Sequence, residues 1–314
     1  MISGPAPGMP RALRGGMTAP RQILPGSTYL ITRRCSQRQF LLKPSETTNA
    51  VFRYVLAVAA ERQGIKVHAY CVLSNHFHLV VTDPKCRLPA FAQQLGSLVA
   101  RALNASYGRW ESFWAPGSYS AVRLETSDDV LEKAAYTLAN PVAAGLVRRG
   151  DEWPGLWSAP ARVGGTSETA KRPEIFFNPT GHMPEEAELE LVAPKGFGSV
   201  EEFRRRLRER VAQLEEQAAK ELRKEGRSYM GARKILAQRP TDRPRGGEPR
   251  RRLNPRVAAR DKWKRQEALG RLKEFTRVYR EALERLWSGA KDVVFPPGTY
   301  LLRITLGVRC AKAG

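Results

Sequence analysis

The sequence predicts an α+β chain: a ferredoxin-like split βαβ domain, with two helices on one face of a four-stranded antiparallel sheet, followed by a basic α-helical C-terminal region. Three observations carry this prediction. Segments with strand and helix periodicity alternate in the order β-α-β-β-α-β, and one more helix follows. The 314 residues are 42% hydrophobic, enough to bury a core and too many for a disordered chain. Of the formal charge of +22, about +14 falls within residues 201–291 and about +8 within residues 1–160.

Taken in order, residues 1–21 are rich in Gly, Pro and Arg without a hydrophobic period and read as a disordered arm, with Met17 as a possible later start. STYLITRR, from Ser27, alternates apolar and polar residues and reads as a strand. Residues 45–64 carry an apolar stripe at Val51, Val55, Val58 and Ala59 and close on Gly64, which predicts a helix. IKVHAYCVLS and HFHLVVT are β-rich and flank a tight Ser74-Asn75 turn, which predicts a hairpin. A second helix is expected over 88–107, burying Phe91, Leu95, Leu98 and Leu103. SYSAVRL supplies the fourth strand. A third helix is expected over 127–139, capped by Ser127 or Asp128 and ended near Pro141. These elements define a domain over 22–157.

Residues 158–198, dense in Gly and Pro, read as a surface linker. Ser199 and Glu202 have capping-box spacing and open a helix reaching about residue 224; a shorter helix is expected over 227–238, then an extended Pro/Arg/Gly stretch over 239–255. Residues 257–288 predict a long basic helix with Trp263, Leu269, Leu272, Phe275, Leu283 and Leu286 on its apolar stripe. Residues 199–291 thus form a basic extension, and 292–314 a tail.

Composition narrows the function classes. Cys35, Cys71, Cys86 and Cys310 lie far apart, unlike the pairs of a disulfide module or a zinc ribbon. No apolar run approaches the roughly 20 residues of a membrane span, and the N-terminus has no continuous apolar core of a secretory signal. A reduced, soluble, cytoplasmic protein is expected. The basic surface suits a polyanion, because each Lys or Arg set on a phosphate releases a condensed counterion; solvated ion-pair-rich helices are the plainer alternative.

His76 and His78 are spaced i, i+2 in a strand segment, so both side chains share one face while Phe77 takes the other. Two imidazoles about 7 Å apart on one face can chelate a divalent cation if a third ligand comes from elsewhere. Tyr136 and Asn140, in EKAAYTLANPVAAGLV, lie one helical turn apart on a common face. Arg33, Arg34, Arg123 and the run Arg250, Arg251 and Arg252 are candidate phosphate contacts. Trp110, Trp114 and Tyr119 are candidate stacking platforms for unpaired bases, with core packing as the competing role, stronger for Trp110.

NHFHLVV, together with Tyr136, Asn140-Pro141-Val142 and Ala144-Gly145-Leu146-Val147, resembles the REP-associated tyrosine transposases, relatives of the single-tyrosine insertion-sequence transposases in the His-hydrophobic-His nuclease superfamily. The resemblance covers roughly residues 22–157 and includes FWAPGSYS and Arg33-Arg34. RRCSQRQ stands where that family often has Arg-Gly-Asn. The resemblance implies metal-assisted transesterification of single-stranded DNA near hairpin repeats. Tyr136 is then the nucleophile that forms a 5′-phosphotyrosine. His76, His78 and Asn140 are the implied ligands of Mg²⁺ or Mn²⁺, in a monomer or homodimer without membrane association. A phenol of ordinary pKa, about 10, needs a nearby cation to react at neutral pH; the metal, or Lys133 one turn earlier, meets that need. The chain has no GxxxxGK[ST] loop, in keeping with energy stored in the covalent bond. The rival readings are a non-catalytic or domesticated hairpin-binding protein, a sheet-face RNA binder without an RNP-type aromatic pattern, and a zinc hydrolase lacking a third strong ligand.

Overall fold

The computed structural model describes residues 20–117, 119–246 and 255–312. The chain divides into two compact units, Gly26–Ala259 on the one hand and Met1–Pro25 with Arg260–Gly314 on the other.

The larger unit opens with β1 (Ser27–Arg34), α1 (Glu46–Gln63), β2 (Lys66–Leu73), β3 (His76–Asp83), α2 (Leu88–Ser106), β4 (Ser120–Leu124) and α3 (Ser127–Ala143). The strands pair antiparallel in the order β2-β3-β1-β4, the predicted ferredoxin-like arrangement, and a two-residue fifth strand, β7 (Val257–Ala258), adds parallel to β4. Strand alternation separates the two faces. Phe77 points toward α1, its ring 5.2 Å from Phe52, whereas His76 and His78 point to the face that α3 covers.

Local chemistry fixes the helix ends. Ser45 accepts the Thr48 N–H at the start of α1, and Gly64 closes it with φ +65°, a conformation costly for residues with a Cβ. The Asp83 carboxylate accepts the N–H groups of Arg87 and Leu88, anchoring the approach to α2. In α3 the cap is Thr126, in a reciprocal capping box with Asp129, rather than Ser127 or Asp128. The helix also runs through Pro141 to Ala143. Proline forfeits one backbone bond in this last turn, while Ala144 still donates to the Asn140 carbonyl and the Trp157 indole donates to the Leu138 carbonyl. Buried Leu138, Pro141 and Val142 hold the helix in place at that point.

The segment 158–198, which reads as a linker, is folded onto the unit. It forms a hairpin of β5 (Glu168–Lys171) and β6 (Glu186–Leu189) that packs on α1, and Val192 donates to Val67 of β2. Its polar alternation is too short to register as strand in a Gly/Pro-rich background. Helix α4 (Val200–Lys224) starts at the Ser199 cap and buries Phe203, Leu207, Val211, Ala218 and Leu222. It lies along α3, tied by Arg206 to Asp128 (2.9 Å) and by Arg210 to both oxygens of Glu132 (2.8 and 3.0 Å). Only Ala232–Leu236 of the shorter predicted helix is helical, as α5.

In the smaller unit, α6 (Lys262–Trp287) starts at an Asp261 cap, five residues after the predicted 257, because 257–258 pair with β4 instead. Ala282 and Leu283 form a small core with Val293, Phe295 and Leu302 from β8 (Val294–Phe295) and α7 (Leu301–Leu306), and β9 (Arg309–Cys310) pairs with β8. Trp263 and Leu269, expected on the apolar stripe, are exposed. Among the described residues no helix is long and apolar enough to cross a membrane.

Candidate active site

Pairing of β1 with β3 sets Thr32 opposite His78 and Arg34 opposite His76 on the α3 face. The two imidazole rings meet edge to face, with centroids 4.9 Å apart. His78 is 5% exposed. Its Nδ1 lies 2.8 Å from Thr32 Oγ1, and its Nε2 lies 3.3 Å from the Asn140 amide nitrogen. An amide nitrogen only donates, so Nε2 carries the lone pair and Nδ1–H donates to Thr32. Burial pushes the His78 pKa well below the ordinary imidazole value, and the positive charge of His76, Arg34 and Lys133 acts in the same direction. The ring is therefore neutral at physiological pH. His76 Nδ1 is 2.7 Å from Asn75 Oδ1, so Nδ1 carries a proton and Nε2 is the nitrogen turned toward the site.

Helix α3 supplies the other groups. Tyr136 and Asn140 are one turn apart, and the Tyr136 ring lies 5.4 Å from the His78 ring, edge to face. Tyr136 is 41% exposed, while Asn140 is buried. Lys133 Nζ sits 5.5 Å from the Tyr136 ring centre. Two imidazoles, an amide and a phenol thus converge within a single chain. Among the described residues there is no cluster of three His, Cys, Asp or Glu side chains able to hold a metal. The groups at this site are instead two imidazoles, each oriented through Nδ1, and the side-chain amide of Asn140. Such a nitrogen and oxygen set, with no thiolate, suits a hard or borderline divalent cation.

Residues 26–133 match the family model described as Transposase IS200 like. The chain resembles the IS200-like transposases, as NHFHLVV and Tyr136 with Asn140 imply. The matched span contains both histidines and ends at Lys133, three residues before Tyr136. Among solved structures, a REP-associated tyrosine transposase bound to a REP hairpin is similar at 19% identity over 45% of this chain and 81% of that one, with a TM-score of 0.38. A protein of Deinococcus radiodurans R1 described as a transposase is similar at 18% identity over 34% of this chain and 85% of that one, with a TM-score of 0.27. Among curated proteins no sequence matches.

Around this site the predicted DNA contacts divide. Arg34 is exposed on the histidine face. Arg33 points the other way: its guanidinium lies over the Trp114 ring, 4.9 Å from the centroid, and fills the space where a Cβ on Gly96 would stand. Burial lowers its pKa. Trp114 is 6% exposed, with its indole N–H on the Gly96 carbonyl (2.8 Å) and its ring against Phe77 and Phe113, so it is core and not a stacking platform. Trp110, for which core packing was the stronger expectation, is 87% exposed. Tyr119 is half-buried near Arg33. Arg123 is largely buried and paired with Glu125 at 2.7 Å, which removes it as an open phosphate contact. Arg250, Arg251 and Arg252 lie outside the described residues. Thr32 and Asn75, which orient the two imidazoles, carry no local sequence signal; only strand register reveals Thr32. His68, without an assigned role, is a buried structural link between the Val192 carbonyl and Thr82 Oγ1, 2.7 Å from each.

Proposed function

We propose that this chain is a transposase-type single-stranded DNA endonuclease and strand transferase that cuts and rejoins DNA near hairpin repeats through a tyrosine-linked intermediate. The family match supports a transposase role. The observation that carries the finer reading is the convergence of the exposed Tyr136 phenol with His76, His78 and Asn140. The formal charge of +22 suits a nucleic-acid substrate.

In this reading the Tyr136 oxygen attacks the scissile phosphorus. The bond to the 3′ oxygen breaks, the phenol loses its proton, and the departing 3′ oxygen takes one up, leaving a 5′-phosphotyrosine and a free 3′-OH. Reversal with a different 3′-OH rejoins the strand without a nucleotide cofactor. Lys133 stands beside the ring, its ammonium 5.5 Å from the ring centre, where it adds positive charge next to the incoming phosphate. His76 and His78 through Nε2, and Asn140 through its amide oxygen once the amide whose nitrogen now faces His78 is turned over, would hold Mg²⁺ or Mn²⁺, which when bound supplies charge neutralisation at the phosphate. Thr32 and Asn75 orient the two rings through Nδ1 and leave Nε2 of each for the site.

The test is incubation with a hairpin-bearing single-stranded oligonucleotide and Mn²⁺ or Mg²⁺. The expected result is an SDS-stable protein–DNA adduct that is lost in Tyr136→Phe. Tight binding with no adduct, the same in both proteins, identifies a binding module instead.

A further inference from the structure

From the last residue of β1 the chain enters a strained turn. Gln37 and Arg38, neither of them glycine, have φ of +51° and +61°. This left-handed pair persists because the surroundings fix it. Arg38 N–H donates to the Cys35 carbonyl, and the next turn is bonded to a strap formed by residues 239–246, Phe40 N–H to the Asp242 carbonyl at 2.8 Å. The strap runs past this turn, and together they enclose a cleft of about 480 Å³ lined by Gln37, Arg38, Arg243, Pro244, Arg245 and Gly246. Arg38 also donates to the Gly246 carbonyl at 3.1 Å, which closes the cleft floor.

The lining holds three guanidiniums and no carboxylate. The carboxylate of Asp242, adjacent in sequence, accepts the Arg239 N–H at 2.9 Å. Among the described residues, none of the three arginines has a carboxylate at ion-pair distance. By contrast, Arg205 and Arg210 on α4 and Arg271 and Arg277 on α6 are each paired with a Glu. The cleft is also tied to the histidines. Asn75 donates from its amide nitrogen to the Arg38 carbonyl (3.3 Å) and accepts on Oδ1 from His76 Nδ1 (2.7 Å), so one side chain links the cleft wall to the candidate active site.

We infer that this cleft is a phosphate-backbone grip for the single-stranded DNA flanking the cleavage point, with Arg38, Arg243 and Arg245 each facing the strand's phosphates. The inference rests on the proposed nuclease reading for the identity of the polyanion. Its geometry stands on the cleft alone. The role of the strained turn is to present Arg38 opposite the strap, so that a strand is held from two sides.

The test measures equilibrium binding of a 30-nucleotide hairpin-bearing DNA in EDTA, across a salt series, for the full chain, for Arg243→Ala/Arg245→Ala, and for the equal-charge control Arg208→Ala/Arg223→Ala on the exposed side of α4. Each single-strand phosphate contact contributes about 0.7 to the slope of log K against log salt. The cleft variant is therefore expected to lower the slope by about 1.4 and the affinity at low salt on the order of tenfold, with the control close to the parent. Equal losses in both variants, no loss in the cleft variant, or tighter binding of an acidic peptide than of DNA overturns the proposal. Adduct formation with Mn²⁺ is scored separately: an adduct with an unchanged salt slope refutes the grip and leaves the nuclease reading standing, whereas a lowered slope without any adduct does the reverse.

Discussion

At the scale of single side chains, the site depends on which imidazole nitrogen keeps its lone pair. Thr32→Val keeps the shape of β1 and removes the oxygen that receives His78 Nδ1–H. Loss of such an orienting partner typically costs 10–100-fold in metal affinity or activity, so adduct formation at limiting Mn²⁺ should fall by roughly that factor and return in Thr32→Ser. The tryptophans give a second prediction. Trp114→Ala should destabilise the protein by about 3–5 kcal/mol, while Trp110→Ala should stay within about 0.5 kcal/mol, both read by urea unfolding. His68 supplies a pH dependence away from the site. Burial lowers its pKa to about 4, against an ordinary value near 6.5. Below pH 6.5 the unfolded chain takes up a proton that the folded chain refuses until about pH 4, so stability falls with pH across that window, by about 2 kcal/mol at pH 5. A His68→Gln variant should show a shallower decline between pH 7 and 5; an identical profile removes His68 as the cause. His76, His78, Tyr136 and Asn140 were legible because i, i+2 on a strand and i, i+4 on a helix fix a shared face. Thr32 was not, since it meets His78 through a register spanning 46 residues. The roles of Trp110 and Trp114 were illegible too, because a loop residue's exposure follows from tertiary packing.

At the scale of elements, α3 is the lever that brings the phenol to the sheet, and it is held from both sides. Its inner face packs on β2 and β3, and its outer face on α4. The local pattern of α4 showed a long, charge-rich amphipathic helix, which suits a solvent-facing DNA-binding extension as well as a buttress. Only the partner of its apolar stripe decides between them, and that partner is far away in sequence. The same reason hid the hairpin of 158–198 and the passage of α3 through Pro141. A chain ended at residue 157 should therefore expose the outer face of α3 and lose cooperative unfolding. Leu207→Ala, deleting a fully buried contact from the stripe, should cost about 2–5 kcal/mol. Glu132→Ala and Arg210→Ala, removed singly and together, should show a coupling of no more than about 1 kcal/mol, because the pair is partly open to water.

At the scale of the whole molecule, the histidines, tyrosine, amide and basic cleft all belong to Gly26–Ala259, and so do the sheet and the helices that position them. Residues 260–312 have a small apolar core of their own around Phe295 and Leu302. Each unit thus buries its own apolar side chains, the condition for independent folding. The charge is also shared: about +12 of the +22 falls within residues 26–259. A chain limited to residues 26–259 should unfold in one cooperative urea transition, bind hairpin DNA with part of the parent's salt dependence, and form the Tyr136 adduct at a rate within a few-fold of the parent. If that shortened chain folds but forms no adduct, then residues 260–314 supply something the chemistry requires, and the active site is larger than the convergence on His76 and His78.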